Sequence, residues 1–174
     1  MNSISKLIKQ YAIHAFIIIL ISASAILGSA YIFQYGFGYA PCELCYYQRY
    51  PYMAVMAISL LGIFAQNGGV KIAKPVIIAL LLLCGLLLFT DAIIAGYHAG
   101  VEYKWWLGPT SCTSSVTLAG TVEQRLAQIM GAPIIMCDQA AWTLFGISMA
   151  GYNFFLASFL GIFAIMSWSN LKKQ

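Results

Sequence analysis

Four runs of mostly apolar residues, at about 12–33, 48–66, 75–97 and 142–168, alternate along the chain with shorter polar stretches. A helix that crosses a bilayer needs about 20 such residues, so the pattern predicts four membrane-spanning helices. Lys6 and Lys9 precede the first run, Lys71 and Lys74 lie in the short loop between the second and third, and Lys172 and Lys173 follow the fourth. Basic residues mark cytoplasmic loops, which puts both termini inside. The segments at about 34–47 and 98–141 then face outward. Four acidic residues, Glu43, Glu102, Glu123 and Asp138, fall in those outward segments, in keeping with this orientation.

Composition agrees with the pattern. The chain is 61% hydrophobic and 8% charged, with a mean hydropathy of +0.83, whereas soluble domains carry about 25% charged residues. A single membrane domain over residues 1–174 is expected. The net charge of +4 is spread over scattered basic residues and makes no stripe of the kind that binds nucleic acid. Ser22-Ala23-Ser24-Ala25 has the small residues of a signal-peptide cleavage site, but the apolar run continues to about Phe33, too long for an ordinary signal core. An uncleaved anchor helix is expected.

The outward segments carry the chemistry. Pro41 suits the first position of a helix, where its missing N–H costs nothing, and Cys42 and Cys45 then occupy the first turn. Helix-start N–H groups and the helix dipole favour a thiolate there. Arg49 lies four residues after Cys45, on the same face, where it can stabilise that thiolate. Pro51 removes a backbone hydrogen bond, predicting a kink or a late helix start. Asp91 is an intramembrane acid whose expected partner is Arg49 or a proton path. Gly96 and Gly100 have a spacing that lets a helix or a flat ligand approach closely, and His98 between them titrates near physiological pH. Trp105 and Trp106 suggest burial at headgroup level. Thr121 to Gln124 resembles a capping box, and Leu118, Val122, Leu126, Ile129 and Met130 recur at helical spacing, predicting a short amphipathic helix on the membrane surface. His14 falls at the cytoplasmic interface, where a histidine is ordinarily just solvated.

Of the five cysteines, Cys84 lies mid-membrane and reads as a small buried hydrophobe. Cys42, Cys45, Cys112 and Cys137 face outward, where disulfides persist. Three readings compete for these four. Structural zinc ordinarily pairs two short C-x-x-C knuckles, and Cys112 and Cys137 are too widely spaced to form one. A structural disulfide suits Cys112 and Cys137 but not the C-x-x-C, whose loop is too short to stabilise much. The third reading is redox exchange, in which two cysteine pairs in one compartment pass electrons by thiolate attack on disulfides.

Several motifs together resemble the DsbB family of quinone-linked membrane enzymes. They are Pro41-Cys42-Glu43-Leu44-Cys45 with Gln48-Arg49, Gly96 to Glu102, Gly108-Pro109-Thr110-Ser111-Cys112, and Cys137 ahead of Leu144 to Asn153. The resemblance spans nearly the whole chain. It implies an all-α integral membrane protein, a four-transmembrane-helix bundle with two outward periplasmic loops, the second long and carrying the amphipathic helix. It also implies a bacterial inner-membrane location and a disulfide-forming oxidoreductase that reoxidises a DsbA-like periplasmic thiol oxidase and reduces a quinone, ubiquinone or menaquinone. On that pattern Cys112 takes the partner's attack, Cys137 is its mate and moves to Cys42, and Cys45 is left as the thiolate facing the quinone. Arg49 and His98 are the expected quinone-binding residues. No metal is expected, and the protein is expected to act as a monomer. Rival readings are a vitamin K epoxide reductase-like thiol oxidase, which ordinarily sets its loop cysteines before the C-x-x-C, and a non-catalytic membrane scaffold with a structural loop disulfide.

Overall fold

A computed structural model describes residues 3–67, 73–109, 121–122 and 136–173. Helix α1 spans Ser3–Tyr31 and runs into a π-helical turn, Ile32–Gly36. A short helix α2 (Glu43–Tyr47) is followed by α3 (Arg49–Asn67), α4 (Lys74–Glu102), a two-stranded hairpin of β1 (Thr143–Leu144) and β2 (Ile147–Ser148), and α5 (Met149–Lys173). The expected amphipathic helix, Cys112 and the loop lysine Lys71 lie outside the described residues.

The chain is all-α apart from the small hairpin. Among the described residues, three helices are long and apolar enough to cross a membrane: Ile8–Gly36, Lys74–Glu102 and Met149–Lys173. Helix α3 has 19 residues. It opens on Arg49-Tyr50-Pro51-Tyr52 and closes on Gln66-Asn67, which dilutes its apolar stretch.

The fourth predicted run, at about 142–168, starts too early. Residues Thr143 to Ser148 form the antiparallel hairpin, with Thr143 opposite Ser148 and Leu144 opposite Ile147. Phe145 and Gly146 both have positive φ, 50° and 77°, the geometry a two-residue turn needs to match strand twist. An apolar run cannot by itself separate such a hairpin from a helix. Helix α5 also extends to Lys173, so Lys172 and Lys173 lie in its last turn, where cations favourably meet the helix dipole.

Helix α4 packs most extensively on α5, and α1 on α3. Phe16, Ile19, Leu81, Cys84, Leu88, Ala157 and Ala164 are buried in the shared core. Small residues bring the helices together, as expected where lipid supplies little hydrophobic drive. A Cβ on Gly85 would stand 2.6 Å from Ile165, and one on Gly62 would meet the Phe16 ring at 2.6 Å. Outward, Ile21, Leu61, Phe64, Ile93 and Phe159 are exposed, forming the apolar surface a membrane covers. Gly96 and Gly100 serve packing: Cβ atoms there would meet Phe154 of α5 and the ring of Trp106. Trp105 and Trp106 themselves remain exposed.

Candidate active site

Local sequence places the C-x-x-C at a sharp corner. The π-helical turn closes with the Phe37 N–H donating to the Ile32 carbonyl at 3.2 Å. Gly38 adopts a positive φ of 76°, a conformation glycine takes without a Cβ penalty. Pro41 does not begin the next helix, as its sequence position predicted. Cys42 is the N-cap in extended conformation, and its sulfur accepts the Cys45 N–H at 3.4 Å. A Cys42 sulfur outside the helix can satisfy an orphan N–H, a role proline cannot fill. Helix α2 breaks at Gln48, three residues before Pro51, in line with the late helix start that proline predicted.

The two thiols are free and their sulfurs lie 3.1 Å apart, about 1 Å beyond a disulfide bond length. The Cys42 thiol donates to Cys45, and this hydrogen bond pulls Cys45 below the usual thiol range, helped by the Cys42 backbone and by Arg49 against the opposing effect of burial. Cys42 moves up for the same reason, with burial adding to it. The lower member of the pair is therefore Cys45, the one on Arg49's side.

Arg49 is buried, with its guanidinium 4.9 Å from the ring centres of both Tyr31 and Tyr46. Its Nη1 donates to Gln34 Oε1 at 2.6 Å. Its Nε is buried and, among the described residues, has no partner. Stacking between two aromatic faces suits a guanidinium better than an ammonium.

Cys42, Cys45 and Arg49 line a cavity of about 380 Å³, together with Ile26, Leu27, Phe33, His98, Tyr152 and Leu156. The lining is mainly apolar and includes a few polar groups, which is the ordinary makeup of a ligand site. A flat, conjugated cyclic dione would fit these residues: apolar walls would take the ring, the unpaired Arg49 Nε–H would be a donor for a carbonyl oxygen, and the Cys45 sulfur would lie alongside.

His98 is buried, 3.4 Å from the Cys42 sulfur through Nε2 and 3.7 Å from Glu102. Glu102 accepts from Ser148 of the hairpin. The ligating atoms of Cys42, Cys45 and His98 all lie within 4.8 Å of one another, a spacing that admits a metal ion. A closed structural zinc site takes four ligands, and among the described residues this cluster has three.

Cys137 carries a disulfide and is buried against Cys42, Leu44 and Val101, with Cys45 packed alongside. The segment is anchored by Lys104, whose Nζ donates to the Asp138 carbonyl at 2.7 Å and pairs with its carboxylate. Thus Cys42, Cys45, Cys137, Arg49 and His98 are brought together at one end of the helices.

Asp91 does not pair with Arg49. It accepts from Asn153 of α5 at 3.0 Å, because α4 packs on α5 and carries Asp91 toward that helix. The site also contains residues to which the sequence pattern assigned no role of their own: Gln34 and Tyr31 around Arg49, and Gln48 and Glu102 against His98 with Asn153 and Tyr52 beyond Gln48. Polar side chains recurring within apolar helices were the available signal for the second group.

Comparison with known proteins bears on this site. The family described as "Disulfide bond formation protein DsbB" matches residues 12–167. The chain belongs to the DsbB family. An uncharacterized protein of Rickettsia prowazekii is 32% identical, over 93% of this chain and 89% of that protein. Disulfide bond formation protein B 2 of Pseudomonas syringae is 26% identical, over 84% and 81%, and disulfide bond formation protein B of Haemophilus influenzae is 27% identical, over 82% and 79%. No solved structure matches. DsbB membership covers the helices that carry the cavity and both described members of the C-x-x-C.

Proposed function

We propose that this protein is a protein-dithiol:quinone oxidoreductase of the bacterial inner membrane. It reoxidises a DsbA-like periplasmic dithiol protein and passes the electrons through two cysteine pairs to a membrane quinone. In this reading α3 is a fourth crossing, both termini are cytoplasmic, and the cysteines face the periplasm. One observation carries it: Cys42 and Cys45 lie 3.1 Å apart on the wall of an apolar cavity shared with Arg49, while disulfide-bonded Cys137 packs in one cluster with them.

The steps follow from thiolate attack on disulfide sulfur. The starting protein has Cys112 bonded to Cys137 and Cys42 bonded to Cys45. A partner thiolate attacks Cys112, forming a mixed disulfide and releasing Cys137 as a thiolate. Cys137 attacks Cys42, and Cys45 leaves as a thiolate beside Arg49. The partner's second thiolate then resolves the mixed disulfide and departs oxidised. The freed Cys112 thiolate attacks Cys137, restoring the loop disulfide and releasing Cys42. One electron pair has moved from the partner to Cys42 and Cys45, and no oxygen or metal is consumed. A bound quinone supplies the acceptor for that pair and for two protons. Arg49 and His98 would hold it, Arg49 through its free Nε–H and His98 as part of the cavity wall.

The order of cysteines supports DsbB chemistry over the vitamin K epoxide reductase type, since Cys112 and Cys137 follow the C-x-x-C. Purified protein in lipid discs, mixed with a reduced DsbA-like protein and a soluble quinone, tests the proposal. One quinone should be lost for each disulfide formed. If the loop disulfide is only structural, the partner stays reduced and the quinone stays oxidised.

A further inference from the structure

A chain of side-chain amides, half-buried Asn153 and buried Gln48, runs from buried Asp91 to the active cysteines. The Asn153 amide nitrogen donates to Asp91 Oδ2 at 3.0 Å and to Gln48 Oε1 at 2.8 Å, using both its hydrogens. The Asn153 Oδ1 accepts from the Tyr52 hydroxyl at 2.7 Å. Gln48 in turn donates through Nε2 to the Leu44 backbone carbonyl at 3.1 Å and meets His98 Nδ1 at 2.9 Å.

The Leu44 carbonyl decides the direction of this chain. A backbone carbonyl can only accept, so the Gln48 NH₂ faces it and the Gln48 oxygen faces Asn153. The second amide hydrogen of Gln48 then points at His98 Nδ1, which must be the unprotonated nitrogen. A neutral imidazole carries one proton, so that proton is on Nε2. The groups at Nε2 all accept: the Cys42 sulfur at 3.4 Å and the Glu102 carboxylate at 3.7 Å. The Cys137 backbone is a further acceptor within reach of the ring.

We propose that Gln48, Asn153 and Asp91 are positioning residues that hold His98 as its Nε2–H tautomer, so that the imidazole donates a hydrogen bond to Cys42 and stabilises that sulfur as a thiolate when its disulfide opens. His98 is then a donor to the reacting sulfur, not a base that removes the Cys42 proton and not a metal ligand, because the lone pair a metal would need carries hydrogen. The inference rests on the reading of Cys42 as an exchanging cysteine. It adds a role for Gln48 at the break between α2 and α3 and for the polar residues of α4 and α5: they fix a tautomer at the end of α4 from within the membrane.

The test needs neither quinone nor partner, so its failure is distinct from failure of the oxidoreductase reading. In full-length protein in lipid discs, nitrogen NMR of ¹⁵N-histidine should show His98 protonated at Nε2. Gln48→Glu, whose carboxylate accepts where the amide donated, should move the proton to Nδ1. In a Cys45→Ala background, alkylation of Cys42 at neutral pH reports the thiolate. Gln48→Met should slow it about tenfold, the worth of one hydrogen bond to an ionised group, and His98→Phe should slow it equally. The two changes together should slow it no more than either alone, since both act through one bond. A wild-type His98 protonated at Nδ1, or effects of Gln48→Met and His98→Phe that multiply, would overturn the proposal. General loosening of the fold would multiply in this way.

Discussion

Cys84 and Cys42 are both buried, yet they sit in regions of opposite design. Cys84 packs among Leu81, Leu88 and Ala164 in the closed middle of the helices, where close packing leaves a thiol nothing to react with. Cys42 lies at one end of the helices, within reach of a second thiol, an imidazole and the cavity. The middle is built from small residues and aliphatic side chains that let helices touch. The end that holds Cys42 interrupts helices at Gly38, Gln48 and the hairpin, and spends those breaks on aiming polar groups. Burial therefore does not separate an inert cysteine from a reactive one. The neighbours do, because a thiolate needs donors and charge nearby.

Substitutions that break this contrast should differ sharply. Cys45→Ser should reduce quinone reduction to the uncatalysed background, while a disulfide adduct with the partner at Cys112 is still trapped on a non-reducing gel. Surviving turnover would remove Cys45 from the role assigned to it. Arg49→Lys should raise the quinone KM about tenfold and leave adduct formation intact, since a point charge lacks the guanidinium fork and the stacking between Tyr31 and Tyr46. An unchanged KM would reduce Arg49 to an interfacial cation.

The two site cysteines also differ in their response to pH. Cys45 is held below the usual thiol range by the Cys42 hydrogen bond, so it stays ionised as pH falls through that range, where Cys42 is already protonated. Limited alkylation of the reduced protein near pH 7, mapped by mass spectrometry, should label Cys45 before Cys42 and leave Cys84 unlabelled. Equal labelling of Cys42 and Cys45 would contradict that ordering.

Much of the site was legible because its parts are close in sequence. C-x-x-C followed by arginine four residues on fixes which face of one turn they share, and Pro51 announced the break that separates α2 from α3. The residues brought in from other helices were not legible. Asp91 pointed to an interaction inside the membrane, but only the packing of α4 against α5 shows that Asn153 answers it. Gly96 and Gly100 marked a close approach without saying that Phe154 and Trp106 fill it. The Thr143–Ser148 hairpin was hidden inside an apolar run, because hydrophobicity alone does not carry the positive φ of Phe145 and Gly146.

Changes in the middle should act on stability alone. Gly85→Leu should lower the free energy of unfolding by about 1–3 kcal/mol through overpacking, because Ile165 occupies the space a side chain would need. The smallest effect is expected for Cys84→Ala, which removes one buried sulfur at a cost of about 1 kcal/mol and should leave turnover unchanged. A loss of turnover there would extend the redox chemistry into the core and erase the distinction between the two regions.

On the proposed function, electrons from a soluble dithiol leave through Cys42 and Cys45 to a quinone. Stopped-flow absorbance of the quinone, followed while protein in lipid discs turns over a reduced DsbA-like partner, measures it directly. One quinone should be reduced per partner disulfide, with the signal lost in Cys45→Ser. Oxidation of the partner with no matching change in the quinone would contradict it.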